Sequence, residues 1–248
     1  MLEGKGSMTE EPYRWLEAIG NRREYIRDQI KGGTPVFALS RPEGILLLGI
    51  GHGQSKIFEI YDRHGFAALG HPVDIEKVRQ AAIEAAHIEG FNRSSKDVTL
   101  RRLISFALST TLKNSFEQIF SPPLMVESLF AELGETPAED ILVRVHYDGN
   151  HRYETSGVLV ASSESKQEEE AASWIRRTLK AKDGLAQAAS LCLTAWQSLV
   201  DNKPFTDLAA PEDPVLKIEG KSVEAALLDR KLPGSVHYRI LDLNRLKN

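Results

Sequence analysis

The order in which hydrophobic periodicity changes along this 248-residue chain constrains its fold more than any single motif. Apolar runs at 36–39 and 45–50 flank a turn at Arg41-Pro42-Glu43-Gly44, which predicts a hairpin of buried strands. Short strands are expected near 55–60 and 65–70. The period then becomes helical. Ile75, Val78, Ala82, Ala85, Ala86 and Ile88 mark one helix face starting at a cap on Asp74, and Leu100, Leu103, Ile104, Leu108 and Leu112 mark a second helix beginning near Asp97. The two helices are expected to form one layer. Strand character returns at 124–133, 141–147 and 153–161, helices follow at 165–181 and 183–201, and strands close the chain at 214–219 and 235–242. Residues 223–228 read as helix or strand. This alternation suits antiparallel sheets sandwiched between helix pairs, and it fits neither a Rossmann order nor a repeat array.

At 42% hydrophobic and 27% charged residues, the chain is composed like one large globular domain, not a disordered one. It has no run of about 18 apolar residues and no apolar leader with basic flanks, so a soluble, cytoplasmic protein is expected. A net charge of −4 with interspersed signs offers no basic face for nucleic acid. The single cysteine, Cys192, permits no intrachain disulfide and reads as buried packing in a reducing compartment. Residues 1–7, ahead of a second methionine at Met8, read as a leftover outside the fold. Residues 10–31 are highly charged but carry Leu16, Ile19, Ile26 and Ile30 at helical intervals; they predict an amphipathic helix stopped by Gly32 and Gly33.

Most polar residues need only structural roles. His52, His64, His71 and His87 lack ligand spacing, so no metal or other cofactor is expected. The glycine-rich stretch 49–53 departs from both the P-loop and the dinucleotide pattern and reads as a turn. Tyr61-Asp62-Arg63 reads as a turn with ion pairing, and the acidic stretch 164–170 as a solvated loop or helix start.

One segment is far more specific. Lys56-Ile57-Phe58-Glu59-Ile60-Tyr61-Asp62-Arg63-His64-Gly65-Phe66-Ala67-Ala68-Leu69-Gly70 resembles the strand-turn-strand signature of actinobacterial proteasome α subunits. Asp97-Val98-Thr99 with Arg101 and Leu103, Leu124-Met125-Val126-Glu127 and Tyr147-Asp148-Gly149 are similar to further family segments, and the resemblance spans about 10–241. It implies an α+β, four-layer αββα sandwich of the N-terminal-nucleophile hydrolase kind with an extra N-terminal helix. The division it suggests is 8–33 for gate segment and helix and 34–248 for the sandwich. It further implies a non-catalytic subunit that forms rings of seven with neighbouring α subunits. These rings stack on catalytic β subunits and dock a ring-shaped ATPase or ATP-independent activator.

The same resemblance assigns roles to residues. Lys56 is expected to pair with the carboxylate of an activator's C-terminal tail, Gly33 to face the same pocket through its backbone, and His71 to lie near it. The gate is expected at Met8, Thr9, Glu10, Glu11, Pro12 and Tyr13. A catalytic reading must also be weighed, because aligning the first strand with catalytic subunits puts Thr34 at the nucleophile position after Gly33. A nucleophile of that type needs its own free α-amino group as base, hence self-cleavage. Against it stand Pro35 as the next residue, Ile50 where an acidic partner is expected, and the loss of the N-terminal helix that cleavage would bring. A self-processing threonine hydrolase using Thr34 and a stand-alone ring-forming homologue remain the alternatives.

Overall fold

The computed structural model describes residues 11–163 and 165–247. Helix α1, Glu11–Ile30, forms as predicted, but only the later part of its apolar face is packed: Ile26 and Ile30 are buried and Ile19 is half-buried, while Leu16 is exposed along with Arg23, Glu24 and Tyr25. Of the expected gate positions, Met8, Thr9 and Glu10 lie outside the described residues, while Glu11, Pro12 and Tyr13 form the first turn of α1.

Strands β1, Val36–Arg41, and β2, Gly44–Gly51, make the predicted hairpin, pairing from Val36 with Gly49 to Arg41 with Gly44. Gly44 has φ of 147°, and a Cβ there would fall 1.9 Å from the Leu228 carbonyl oxygen, so the turn closes only on glycine. Strand β2 runs through Gly51, so of the glycine-rich stretch only His52 and Gly53 lie in the turn that follows it. A second hairpin joins β3, Ile57–Tyr61, to β4, His64–Gly70.

Helix α2, Pro72–Asn92, starts earlier than its apolar face suggests. His71 is the cap, Pro72 takes the first position, where a missing N–H costs nothing, and Asp74 is buried one turn in. Its carboxylate accepts from the Met125 N–H at 3.1 Å and from Lys77 at 3.1 Å. The second predicted helix comprises α3, Leu100–Arg102, a π-helical stretch, Leu103–Leu108, and α4, Ser109–Glu117. Asp97 sits before it in a 3₁₀ turn, and Glu132 caps the helix from across the sheet by accepting from the Leu100 N–H at 2.7 Å.

The next strands are β5, Val126–Glu132, β6, Ile141–Val145, β7, His151–Glu154, and β8, Val158–Ala161. The single strand expected over 153–161 is therefore two. β7 pairs with β6 and β8 with β1, and the chain crosses between sheets through Gly157, at φ 75°. Helices α5, Ser165–Thr178, and α6, Leu185–Val200, precede β9, Ser222–Asp229, and β10, Tyr238–Ile240. No strand forms at 214–219. That segment is a loop whose Leu216 is buried against the helices and whose Val215 N–H donates to Ser190 Oγ at 2.8 Å.

Two five-stranded antiparallel sheets result, ordered β10-β9-β2-β1-β8 and β3-β4-β5-β6-β7. Side chains such as Ala38, Leu47, Leu69, Leu129 and Leu228 fill the space between them, joined by Ile26 and Ile30 of α1. Helices α5 and α6, with the fully buried Cys192, cover the outer face of the first sheet. Helix α2 and the α3–α4 run cover the second. This is the four-layer αββα sandwich, with α1 as an additional helix at its end.

Candidate functional site

The end of the sandwich nearest α1 gathers the residues singled out by the sequence. Gly33 and Thr34 link α1 to β1, and Lys56 immediately precedes β3. The Gly33 N–H donates to the Ile30 carbonyl at 2.7 Å. A Cβ on Gly33 would meet Leu69 Cδ1 at 2.7 Å and Ile30 O at 2.9 Å, so the helix-to-strand connection is too tight for any side chain. Gly33 and His71 line a common cavity of about 220 Å³ with Gln29, Gly70, Pro72 and Met125.

Lys56 is not a wall of that cavity. Its side chain passes beside Gly49 and Gly51 of β2 and ends on the residue next to Gly33, donating from Nζ to Thr34 Oγ1 and to the Thr34 carbonyl at 3.3 Å. Thr34 Oγ1 in turn donates to the Ile50 carbonyl. Burial lowers the Lys56 ammonium to about 8; Glu224 works against that shift, and the charge of Lys221 adds to it. Glu224 also accepts from the Lys56 backbone N–H at 2.8 Å. Thr34 lines an adjoining cavity of about 370 Å³, which shares Gly32 and Gly33 with the first and adds Lys31, Pro35, Ser162 and Gln167.

A second polar centre had no signal in the spacing. Arg144, 1% exposed, pairs with Glu127 at 3.0 Å and Glu168 at 2.8 Å and donates to the Ser162 carbonyl at 3.0 Å. His146 Nδ1 lies 3.0 Å from Glu127. Within the acidic stretch 164–170, helix α5 opens at Ser165, the helix start expected there, with Glu169 and Glu170 exposed, but Glu168 departs from that solvated reading as a buried ion-pair partner. The turn at Asp62-Arg63 does carry an ion pair, from Arg63 to Glu132 at 2.9 Å, with His64 fully buried 3.7 Å from the same carboxylate.

The double-sheet αββα sandwich with a helix ahead of its first strand is the fold that the resemblance to N-terminal-nucleophile hydrolases implies. No family model matches the chain. Curated relatives do. The chain is 33% identical over 226 residues to the proteasome subunit alpha of Actinosynnema mirum, covering 90% of this chain and 81% of that one. It is 32% identical to that of Geodermatophilus obscurus, covering 90% and 75%, and 30% identical to that of Streptomyces coelicolor, covering 88% and 80%. The chain belongs to the proteasome α-subunit family.

Proposed function

We propose that this chain is a non-catalytic α-type subunit of a bacterial proteasome core particle. It assembles into the outer, seven-membered ring on β subunits in the cytoplasm, gates substrate entry with residues 8–13, and docks the carboxylate tail of an activator at Lys56, near Gly33 and His71. The observation that carries this reading is the continuity of α1 into Thr34. Ile26 and Ile30 are buried in the space between the sheets, and Gly33 fits its site without room for a Cβ. Cleavage before Thr34, which would free the α-amino group a nucleophile of this class uses as its base, would have to discard this packed helix. Removing α1 would also uncover apolar surface between the sheets.

One observation favours the alternative, a self-processing hydrolase, because Lys56 Nζ reaches Thr34 Oγ1 as a lysine would that activates a hydroxyl. Native mass spectrometry of the chain, alone and mixed with its β partner, separates the two. Intact N-termini in seven-fold or stacked-ring masses are expected. Loss of everything before Thr34 would replace this reading with the hydrolase. In the assembled particle, Lys56→Ala is expected to abolish stimulation by an activator while leaving hydrolysis of small peptides unchanged; undiminished stimulation would remove Lys56 from the docking role.

A further inference from the structure

Helix α1 is held to the molecule along only part of its length. Its last turns are anchored by apolar burial, with Ile26 and Ile30 in the space between the sheets. One turn earlier the anchor is polar. The half-buried Arg22 guanidinium donates to the carbonyls of Ser115 at 2.9 Å, Ser121 at 2.8 Å and Ile119 at 3.3 Å, a cation set against the C-terminal end of α4. Of residues 14–21, only Ala18 and Ile19 are half-buried, and Arg14, Trp15, Leu16 and Glu17 form a full turn in which every side chain is exposed.

Gly20 and Asn21 stand where the anchored part of the helix begins. Gly33 and Gly44 are required by close contacts, but a Cβ on Gly20 would have no atom within 4 Å. Packing therefore does not call for glycine at this position. Its physical effect is on the helix itself, which glycine weakens relative to alanine, and the next residue, asparagine, is also a poor helix former. The end of the packing and the weakest point of the helix thus coincide. Bending there moves residues 11–19 and leaves Arg22, Ile26 and Ile30 in place; bending further along would pull Arg22 from its three carbonyls or open the space between the sheets.

We propose that Gly20-Asn21 is a hinge in α1, about which residues 11–19 swing as a unit while residues 22–30 stay fixed to the sandwich. The proposal rests on the gate reading of residues 8–13 given above and makes that segment the tip of a short helical lever. To move, the lever has to release only the half-buried Ala18 and Ile19, so the gate is displaced with the core undisturbed.

The test is hydrogen exchange, read by mass spectrometry, on the full chain assembled with its β partner. Amides of residues 15–24 lie on the lever or bond to carbonyls across the hinge, and they should exchange about tenfold faster than those of 26–30. Gly20→Ala adds a Cβ that meets nothing, so the fold is kept. It should slow exchange over 15–24 by about two- to fivefold, and slow entry of a long unfolded substrate by a similar factor, with hydrolysis of a short peptide unchanged. A single exchange rate along 15–30 would show that α1 moves as one rod, which overturns the hinge and leaves the gate assignment standing. A Gly20→Ala particle that admits the long substrate as fast as the parent overturns the hinge as a gating device. If a chain lacking residues 1–13 admits the long substrate no faster than the parent, the gate assignment itself falls, and the hinge's role with it.

Discussion

Lys56 and Arg144 are both cations drawn into the sandwich, and the protein treats them in opposite ways. Arg144 has two carboxylates, Glu127 and Glu168, and a carbonyl on its guanidinium, and is closed off from water. Lys56 is half-buried, its ammonium bonded to an uncharged hydroxyl and a carbonyl, and its carboxylate neighbour Glu224 is engaged at the backbone. A buried charge with matched partners is part of the framework, because removing either side leaves the other stranded. A half-buried charge without a matched partner is available to a ligand, and that difference is the physical basis for reading Lys56 as a docking residue and Arg144 as structural.

The contrast is broken most severely at Arg144. Arg144→Met should destabilise the chain by about 3–5 kcal/mol, because Glu127 and Glu168 are left buried and uncompensated. Urea denaturation measures it, and a loss below about 1 kcal/mol would mean that the cluster is not a framework element. A smaller effect is expected at the glycine joining α1 to the sandwich. Gly33→Ala forces a Cβ against Leu69 and the Ile30 carbonyl and should cost about 1–3 kcal/mol by overpacking. A thermal melt unchanged from that of the parent chain would show that the connection is looser than its geometry.

The smallest effect concerns Lys56 and is carried by pH. Folding lowers its pKa from the ordinary 10.5 to about 8, so between those values the unfolded chain binds the proton more tightly than the folded one. Stability therefore rises with pH through that window. Lys56→Met should flatten the rise and leave the variant at least as stable as the parent at pH 7, where the parent still bears the cost of a charged, half-buried amine. Comparing denaturation midpoints between pH 8 and 9.5 keeps the test clear of Tyr238, which burial and the charges of Glu59 and Glu224 push up to about 12. Equal slopes in both chains would place the Lys56 ammonium in water.

The legible parts of the molecule were those written in local pattern. Helices α1, α2, α5 and α6 show their apolar faces at helical spacing, and the β1–β2 hairpin is announced by two apolar runs around Pro42 and Gly44. Lys56 and Gly33 were found through a family motif, not through chemistry visible at their positions. Asp74 was misplaced as a cap because its carboxylate is used by Met125, fifty-one residues away, a partner that no local signal names.

The sequence by itself determined the succession of strands and helices and the kinship to proteasome α subunits, because periodicity and contiguous motifs depend on neighbouring residues. Only the tertiary structure decided that one predicted strand at 153–161 is divided between two sheets, that Glu168 leaves the solvent to meet Arg144, and that Glu224 stands beside Lys56. Each of these depends on which strand edge the chain meets after folding, and on charges brought together across more than a hundred residues in the case of Lys56, which is information that pairing register supplies and local pattern does not.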